Sequence, residues 1–252
     1  MAGKTILITG ASSGFGAAAA RVFAEGGNRL VLAARRLEPL LDLQRELADR
    51  ALIYPLHLDV RDRTAVEAAL SALPAEFSEI DLLVNNAGLA LGLEPAHQAS
   101  LDDWDTMIDT NIKGLTYVTR CLLPGMVARN RGHVVNIGST AAAWPYVGGN
   151  VYGGTKAFVE QFSRNLRTDL FGTRVRVTCI APGMAETEFS QVRFKGDQQK
   201  ADKVYAGCEP LTAGDVAGII KWVSEQPEHV NVNHMEVMSI HQSWAPLAVY
   251  RG

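Results

Sequence analysis

Short apolar, β-branched runs alternate along this chain with longer stretches whose apolar positions recur every three or four residues. The runs are Thr5–Thr9, Arg29–Ala33, Leu52–Leu58, Leu82–Val84, His133–Ile137, Val175–Ile180 and Val232–Met238. Their apolar residues are nearly continuous rather than alternating, which predicts strands covered on both faces. The longer stretches predict helices near Gly16–Glu25, Leu37–Asp49, Arg63–Leu73, Leu101–Asn130, Val151–Phe171 and Ala213–Glu225. Asp62, or the turn Asp59-Val60-Arg61, is cap material for the third helix, and Thr212 for the last. Such alternation predicts an α/β fold, a doubly wound parallel sheet of about seven strands with helices on both faces. The segment from Glu186 to Gly207 breaks the rhythm, being polar, charged and weakly periodic. Placed after a strand's carboxyl end, it is expected to be a mobile substrate flap. With no internal repeat or linker, residues 1–252 read as one domain. The tail from Met238 to Gly252 carries Trp244, Pro246, Leu247, Val249 and Tyr250, and is expected to be docked rather than free.

Composition narrows the classes of function. The 252 residues are 47% hydrophobic with a net charge of −3, enough for one well-buried core. No basic stripe or charge block is present, which argues against nucleic acid and anionic membrane as partners. The three cysteines, Cys121, Cys179 and Cys208, are far apart and read as reduced thiols. The six histidines lack metal spacing, so no metal is expected. The apolar stretch after Lys4 stops at Thr9-Gly10, too short for a secretion signal, and no run is long enough to span a bilayer. A cytoplasmic location is expected.

The first predicted strand runs into Thr9-Gly10-Ala11-Ser12-Ser13-Gly14-Phe15-Gly16 and then an Ala-rich helix. Gly10 permits a tight turn, Gly14 lets backbone approach a pyrophosphate, and Gly16 lets the helix pack on the sheet. The helix start adds free N–H groups and the positive end of its dipole. A glycine-rich turn without a ligand is the alternative, and the strand–turn–helix context weighs against it. The second strand then ends in Ala33-Ala34-Arg35-Arg36. A carboxylate here would hold the ribose hydroxyls of NAD and repel a 2′-phosphate. Two guanidiniums instead offer forks of donors suited to phosphate, which predicts NADP(H). Solvated arginines at a helix start are the bland alternative, one the helix dipole disfavours.

The chemistry lies in Ser139, Tyr152 and Lys156, with Asn111 upstream. Tyr152 and Lys156 stand at i and i+4 and so share a helix face. An ammonium beside a phenol favours the phenolate and lowers a pKa that is ordinarily near 10, tuning it for general acid–base work. Ser139 ends the fifth strand, at the carboxyl edge where such sheets bind ligands, and its hydroxyl can donate to a substrate oxygen.

The GxxxGxG spacing, Asn85-Asn86-Ala87-Gly88 and the Ser–Tyr–Lys set resemble the short-chain dehydrogenase/reductase family over essentially the whole chain. The resemblance implies a Rossmann-type fold with Tyr152 as general acid/base. Lys156 is then the pKa-lowering residue and ribose contact, Ser139 the ligand of the substrate oxygen, and Asn111 the holder of a relay water. It further implies Asp59 and Val60 beside the adenine (Asp59 is also a possible helix cap), Asn86, Ala87 and Gly88 along the cofactor, and Pro182, Gly183 and Thr187 beside the nicotinamide. A homotetramer built on the two long helices and the tail is also implied. Glu186 is an unusual carboxylate beside that last turn.

Longer stretches, including Glu94-Pro95-Ala96-His97, Trp144-Pro145-Tyr146, Gly148-Gly149-Asn150-Val151-Tyr152 and Val192-Arg193-Phe194-Lys195-Gly196, are similar to NADP-dependent 3-hydroxy acid dehydrogenases. The resemblance implies a small anionic hydroxy or oxo substrate of the serine, allo-threonine or 3-hydroxypropionate type. A cation should then meet the carboxylate, and Arg193 in the flap is the leading candidate, ahead of Lys195 and Arg120; a solvated loop arginine is the alternative. Tyr146 and Asn150, with Trp144, are expected to wall a small pocket. Sulfoacetaldehyde reductases look similar and satisfy the same charge logic. A non-catalytic NADP(H) sensor would keep the glycine loop but lose a catalytic member, and a nucleotide-sugar epimerase would need a larger substrate domain.

Overall fold

In the strand Thr5–Thr9, Ile6 and Ile8 pack against one layer of helices and Leu7 against the other, and all three are fully buried. This follows from side chains alternating across a strand whose two faces are both covered. The computed structural model describes residues 3–244. Seven strands form one sheet: β1 (Thr5–Thr9), β2 (Arg29–Ala34), β3 (Leu52–His57), β4 (Leu82–Asn85), β5 (Gly132–Ile137), β6 (Val175–Pro182) and β9 (His234–Val237). Their order is β3-β2-β1-β4-β5-β6-β9 and every pairing is parallel. A separate two-stranded ribbon pairs β7 (Ala185–Glu186) with β8 (Leu211–Thr212).

Helices α1 (Gly14–Ala24), α2 (Glu38–Leu47) and α9 (Ala213–Ser224) cover one face, burying Phe23, Leu40 and Ile220 with Ile6 and Ile8. On the other face, α3 (Arg63–Ser71), α5 (Leu115–Ala128) and α6 (Asn150–Asp169) bury Val66, Val118 and Leu166 with Leu7. The chain winds outward from β1 in one direction and from β4 in the other. The loops after β1 and β4 therefore diverge and leave a crevice at the carboxyl edge, where open sheets of this kind take ligands.

The structure departs from the expected elements in three places. Continuous burial holds in the inner strands, whereas edge strand β3 leaves Leu52 half exposed and tolerates Pro55, as only an edge strand can. The single long helix expected over Leu101–Asn130 is α4 (Leu101–Ile108), a π-wound segment (Asp109–Gly114) and α5. The flap is not irregular: it holds α7 (Phe189–Arg193) and α8 (Gln198–Lys203), the latter capped by Asp197 accepting from Lys200 N at 3.1 Å. Helices this short are below what periodicity resolves. Asp62 and Thr212 cap α3 and α9, the second in a capping box with Asp215. Of the tail, residues 238–244 are described, whereas Pro246, Leu247, Val249 and Tyr250 lie outside the described residues.

Candidate active site

One cavity of about 850 Å³ opens along the carboxyl edge of the sheet. At its β1 end, Gly10 and Gly14 adopt positive φ of 65° and 51°. A Cβ on Gly10 would stand 2.9 Å from Ala87 Cα, so only glycine lets the two loops meet. Asn86 locks that meeting: its Nδ2 donates to the carbonyls of Thr9 (2.9 Å) and Gly10 (3.1 Å). Gly16 does not line the cavity; a Cβ there would come within 2.4 Å of Gly10 O, so it serves helix packing alone. Ser12, Ser13, Gly14 and Phe15 line the cavity at the start of α1.

Ala34, Arg35 and Arg36 close this end of the cavity, with no carboxylate at the strand tip. Arg36 Nη2 donates to Ser12 Oγ at 3.2 Å and to Glu188 Oε2 at 3.0 Å. Asp59 and Val60 stand opposite. Asp59 does not cap α3; Arg61 binds its carboxylate at 2.6 and 3.0 Å, and these bonds, helped by the nearby charge of Arg35, hold it below the usual carboxylate range. The dimensions, the glycine cradle and the paired guanidiniums all fit a dinucleotide carrying a 2′-phosphate.

The reacting end is formed by β5, β6, α6 and the flap. Ser139 Oγ accepts from Ala141 N at 3.1 Å, which leaves its proton to donate into the cavity. Tyr152 and Lys156 share one face of α6, with Lys156 Nζ 5.9 Å from the phenol ring centre. The ammonium donates to Ile137 O at 2.8 Å. The expected acidification of the phenol by Lys156 is not what the protein alone provides. Burial pushes Tyr152 up to about 12, against which the Ser139 hydroxyl and the Arg193 charge pull it down. Burial likewise lowers Lys156 to about 8. Desolvation dominates at both groups, outweighing Ser139 and Arg193 at Tyr152 and the Cys179 thiol at Lys156.

Asn111 does not line the cavity. Its Oδ1 accepts from Leu89 N (2.9 Å) and its Nδ2 donates to Leu89 O (2.8 Å) and Thr155 Oγ1 (3.0 Å), so the side chain is fully committed. It lies in the π-wound segment, a feature frequent at functional sites. A Cβ on Gly88 would stand 3.2 Å from Asn111 Oδ1 and 3.4 Å from Lys156 Nζ, which places all three together.

Arg193 reaches into the reacting end. Its guanidinium carbon lies 5.2, 5.7 and 5.1 Å from the ring centres of Tyr152, Tyr146 and Phe189. Nη2 donates to Tyr146 Oη at 2.7 Å, whereas Nε is buried without a hydrogen-bond partner among the described residues. The other expected cations are elsewhere: Lys195 pairs with Asp103 at 2.9 Å, and Arg120 is exposed on α5. Asn150, expected to wall the pocket, faces away; its Oδ1 accepts from Trp104 Nε1 (3.1 Å) and its Nδ2 donates to Glu94 O (3.1 Å). Glu186 is exposed on β7 and does not line the cavity, although its neighbours Ala185 and Thr187 do. Pro182 and Gly183 line the cavity beside them, and Met238, Gln242 and Trp244 close its rim. Phe189, Glu188 and Thr110, whose hydroxyl is buried and unpartnered among the described residues, are site residues that sequence reasoning missed. Their one available signal was proximity to Thr187 and Asn111 in the chain.

Among the described residues, no cluster of three or more His, Cys, Asp or Glu side chains is placed to hold a metal, and no helix is long and apolar enough to cross a membrane. Comparison with known proteins matches residues 4–198 to the family described as short chain dehydrogenase. The chain is 59% identical to the NADP-dependent 3-hydroxy acid dehydrogenase YdfG of Escherichia coli O6:H1 over 247 residues, covering 98% of this chain and 99% of that one. It is 53% identical to the serine 3-dehydrogenase of Agrobacterium fabrum, with 98% of each covered. Among solved structures, the closed form of a serine dehydrogenase complexed with NADP+ superposes with a TM-score of 0.95 at 58% identity, covering 98% of this chain and 99% of that one.

Proposed function

This chain belongs to the short-chain dehydrogenase family, and from that premise we propose that it uses NADP(H) to interconvert a small 3-hydroxy acid with its 3-oxo acid or semialdehyde. Serine, allo-threonine and 3-hydroxypropionate are the substrate types in view, and the names of the relatives support them. The observation that carries the reading is Arg193. A guanidinium caged by three aromatic rings, with a buried unpartnered N–H, is an anion receptor beside the phenol. An unpaired buried donor is costly, and a substrate carboxylate would relieve that cost.

Bound NADP(H) supplies or accepts the hydride and, when oxidised, brings a positive ring to the site. The chain's residues do the rest. In reduction, the substrate carbonyl oxygen takes a hydrogen bond from Ser139 Oγ and the proton from Tyr152 Oη as the carbon receives hydride. A phenol pushed up to about 12 suits this direction, because it holds its proton until the alkoxide needs it. In oxidation, Tyr152 takes that proton back, and the charges of Lys156 and Arg193 favour the anionic phenol. Asn111 positions Leu89 and Thr155 around the site through its side chain, and its backbone in the π-wound turn is the candidate holder of a relay water. Arg193, with Tyr146, orients the substrate carboxylate and draws the flap over it. Arg35, Arg36 and Ser12 hold the 2′-phosphate, and Asp59 and Val60 flank the adenine. The chain is expected to work as a cytoplasmic homotetramer through the faces of α5 and α6, where Phe158 stacks on Phe162 at the surface; light scattering tests the assembly.

The decisive experiment follows NADPH oxidation and NADP+ reduction across malonic semialdehyde, sulfoacetaldehyde, serine, allo-threonine, 3-hydroxypropionate and 3-hydroxyisobutyrate. Highest kcat/KM with carboxylates is expected. A preference for sulfoacetaldehyde would move the assignment to sulfonates, and NADP(H) binding without turnover of any would make the chain a sensor.

A further inference from the structure

We propose that Glu188 is an internal competitor for the 2′-phosphate site, and so a determinant of how tightly the chain holds NADP(H) relative to NAD(H). Glu188 sits at the start of α7 but caps nothing there. Its carboxylate crosses the cavity mouth to Arg36 Nη2 at 3.0 Å, and the same nitrogen donates to Ser12 Oγ at 3.2 Å. The contact ties the flap to the tip of β2, which is the place where a 2′-phosphate is to be recognised. Just beside it, Thr187 covers Gly14, whose Cβ would stand 3.5 Å from Thr187 Cβ.

One guanidinium edge thus faces two anionic claimants. A phosphate arriving at Arg36 either displaces Glu188 or lies against a carboxylate, and each course weakens its binding. A cofactor with a free 2′-hydroxyl makes no demand on Arg36 and escapes the penalty. Both partners are about half exposed, at 56% and 48%, so the pair is weak enough to yield to a doubly charged group. The Arg193 contacts with Tyr146 and Tyr152 stand beside the Arg36–Glu188 pair in the same structure, so the exchange at Arg36 does not require the flap to leave the reacting end. Glu188 is therefore a specificity-determining residue acting through Arg36, and it lowers selectivity for the phosphorylated cofactor in exchange for easier release.

The test titrates the full-length protein and its Glu188→Gln and Glu188→Ala variants with NADP+, NAD+ and 2′-AMP by calorimetry, with no substrate present. Failure of the substrate assignment would therefore leave the result untouched. Both variants are expected to bind NADP+ and 2′-AMP roughly two- to tenfold more tightly, the loss of one exposed ion pair plus a like-charge repulsion. NAD+ affinity should stay within about twofold, the gain should shrink as salt is raised, and it should vanish in an Arg36→Ala background. Unchanged or weaker NADP+ binding overturns the proposal. So does equal tightening of NADP+ and NAD+, which would place the effect in flap closure rather than at the phosphate.

Discussion

The two ends of the cavity are made of different materials. At the glycine loop, the Asn86 amide and the Thr9 hydroxyl bond to backbone among buried strands, and a Cβ at Gly10 has nowhere to go. At the reacting end the flap meets the site through side chains, Arg193 lying among Tyr152, Tyr146 and Phe189, while exposed ion pairs hold the flap elsewhere, Glu188 with Arg36 and Lys195 with Asp103. The first end cannot yield without disturbing the sheet. The second can be rearranged at small cost, because exposed ion pairs contribute little. An enzyme that binds a constant cofactor and a variable substrate is served by this division, and it sorts mutations into those that cost stability and those that cost only function.

Tyr152 sits at the seam, and its loss is the largest expected effect. Tyr152→Phe should lower turnover by about 10²–10⁴ while NADPH binding, followed by fluorescence, stays near wild type; near-native turnover would remove the phenol from the mechanism. Next comes Gly10→Ala. A side chain at φ 65° lying 2.9 Å from Ala87 Cα should destabilise by roughly 2–3 kcal/mol, or about 4–12 °C in Tm. An unshifted melting curve would mean that the loop is softer than its geometry implies. Arg193→Met should do the reverse, raising KM for a carboxylate substrate about 10–100-fold with Tm nearly unchanged. A Tm loss as large as that of Gly10→Ala would break the contrast between the two ends.

The effect that bears least on turnover is the pH dependence of stability. Lys156 has a folded pKa of about 8 against an ordinary 10.5, so between these values the unfolded chain binds more protons and stability rises with pH. Tyr152 has about 12 against 10.0, so above pH 10 the folded chain holds more protons and stability falls. Thermal melting across pH 8–11 should therefore pass through a maximum, and Lys156→Met should flatten its rising limb. An identical profile in that variant would show that the ammonium is not desolvated on folding.

Much of the site was legible in the chain because its rules are local. Gly10 and Gly14 are where the backbone needs positive φ, the absence of a carboxylate after Ala34 is a statement about one strand end, and Tyr152 and Lys156 share a face because helices repeat. Asn150 misled because its neighbourhood in sequence, between Tyr146 and Tyr152, says nothing about which way the first turn of α6 faces. Asn111 was found, but its side chain proved to be a brace for Leu89 and Thr155 rather than a feature of the cavity wall.

What the sequence by itself determined is the alternation of strands and helices, the nucleotide loop and the spacing of the reacting side chains, since each depends on residues within a turn or two of one another. What only the tertiary structure decided is the balance of energies where distant segments meet. It placed Glu188 against Arg36, set the Arg193 guanidinium among three aromatic rings, and buried Tyr152 and Lys156 deeply enough for desolvation to dominate the acidity of both. Charge and periodicity can be read along a chain, but burial is a property of the packed whole.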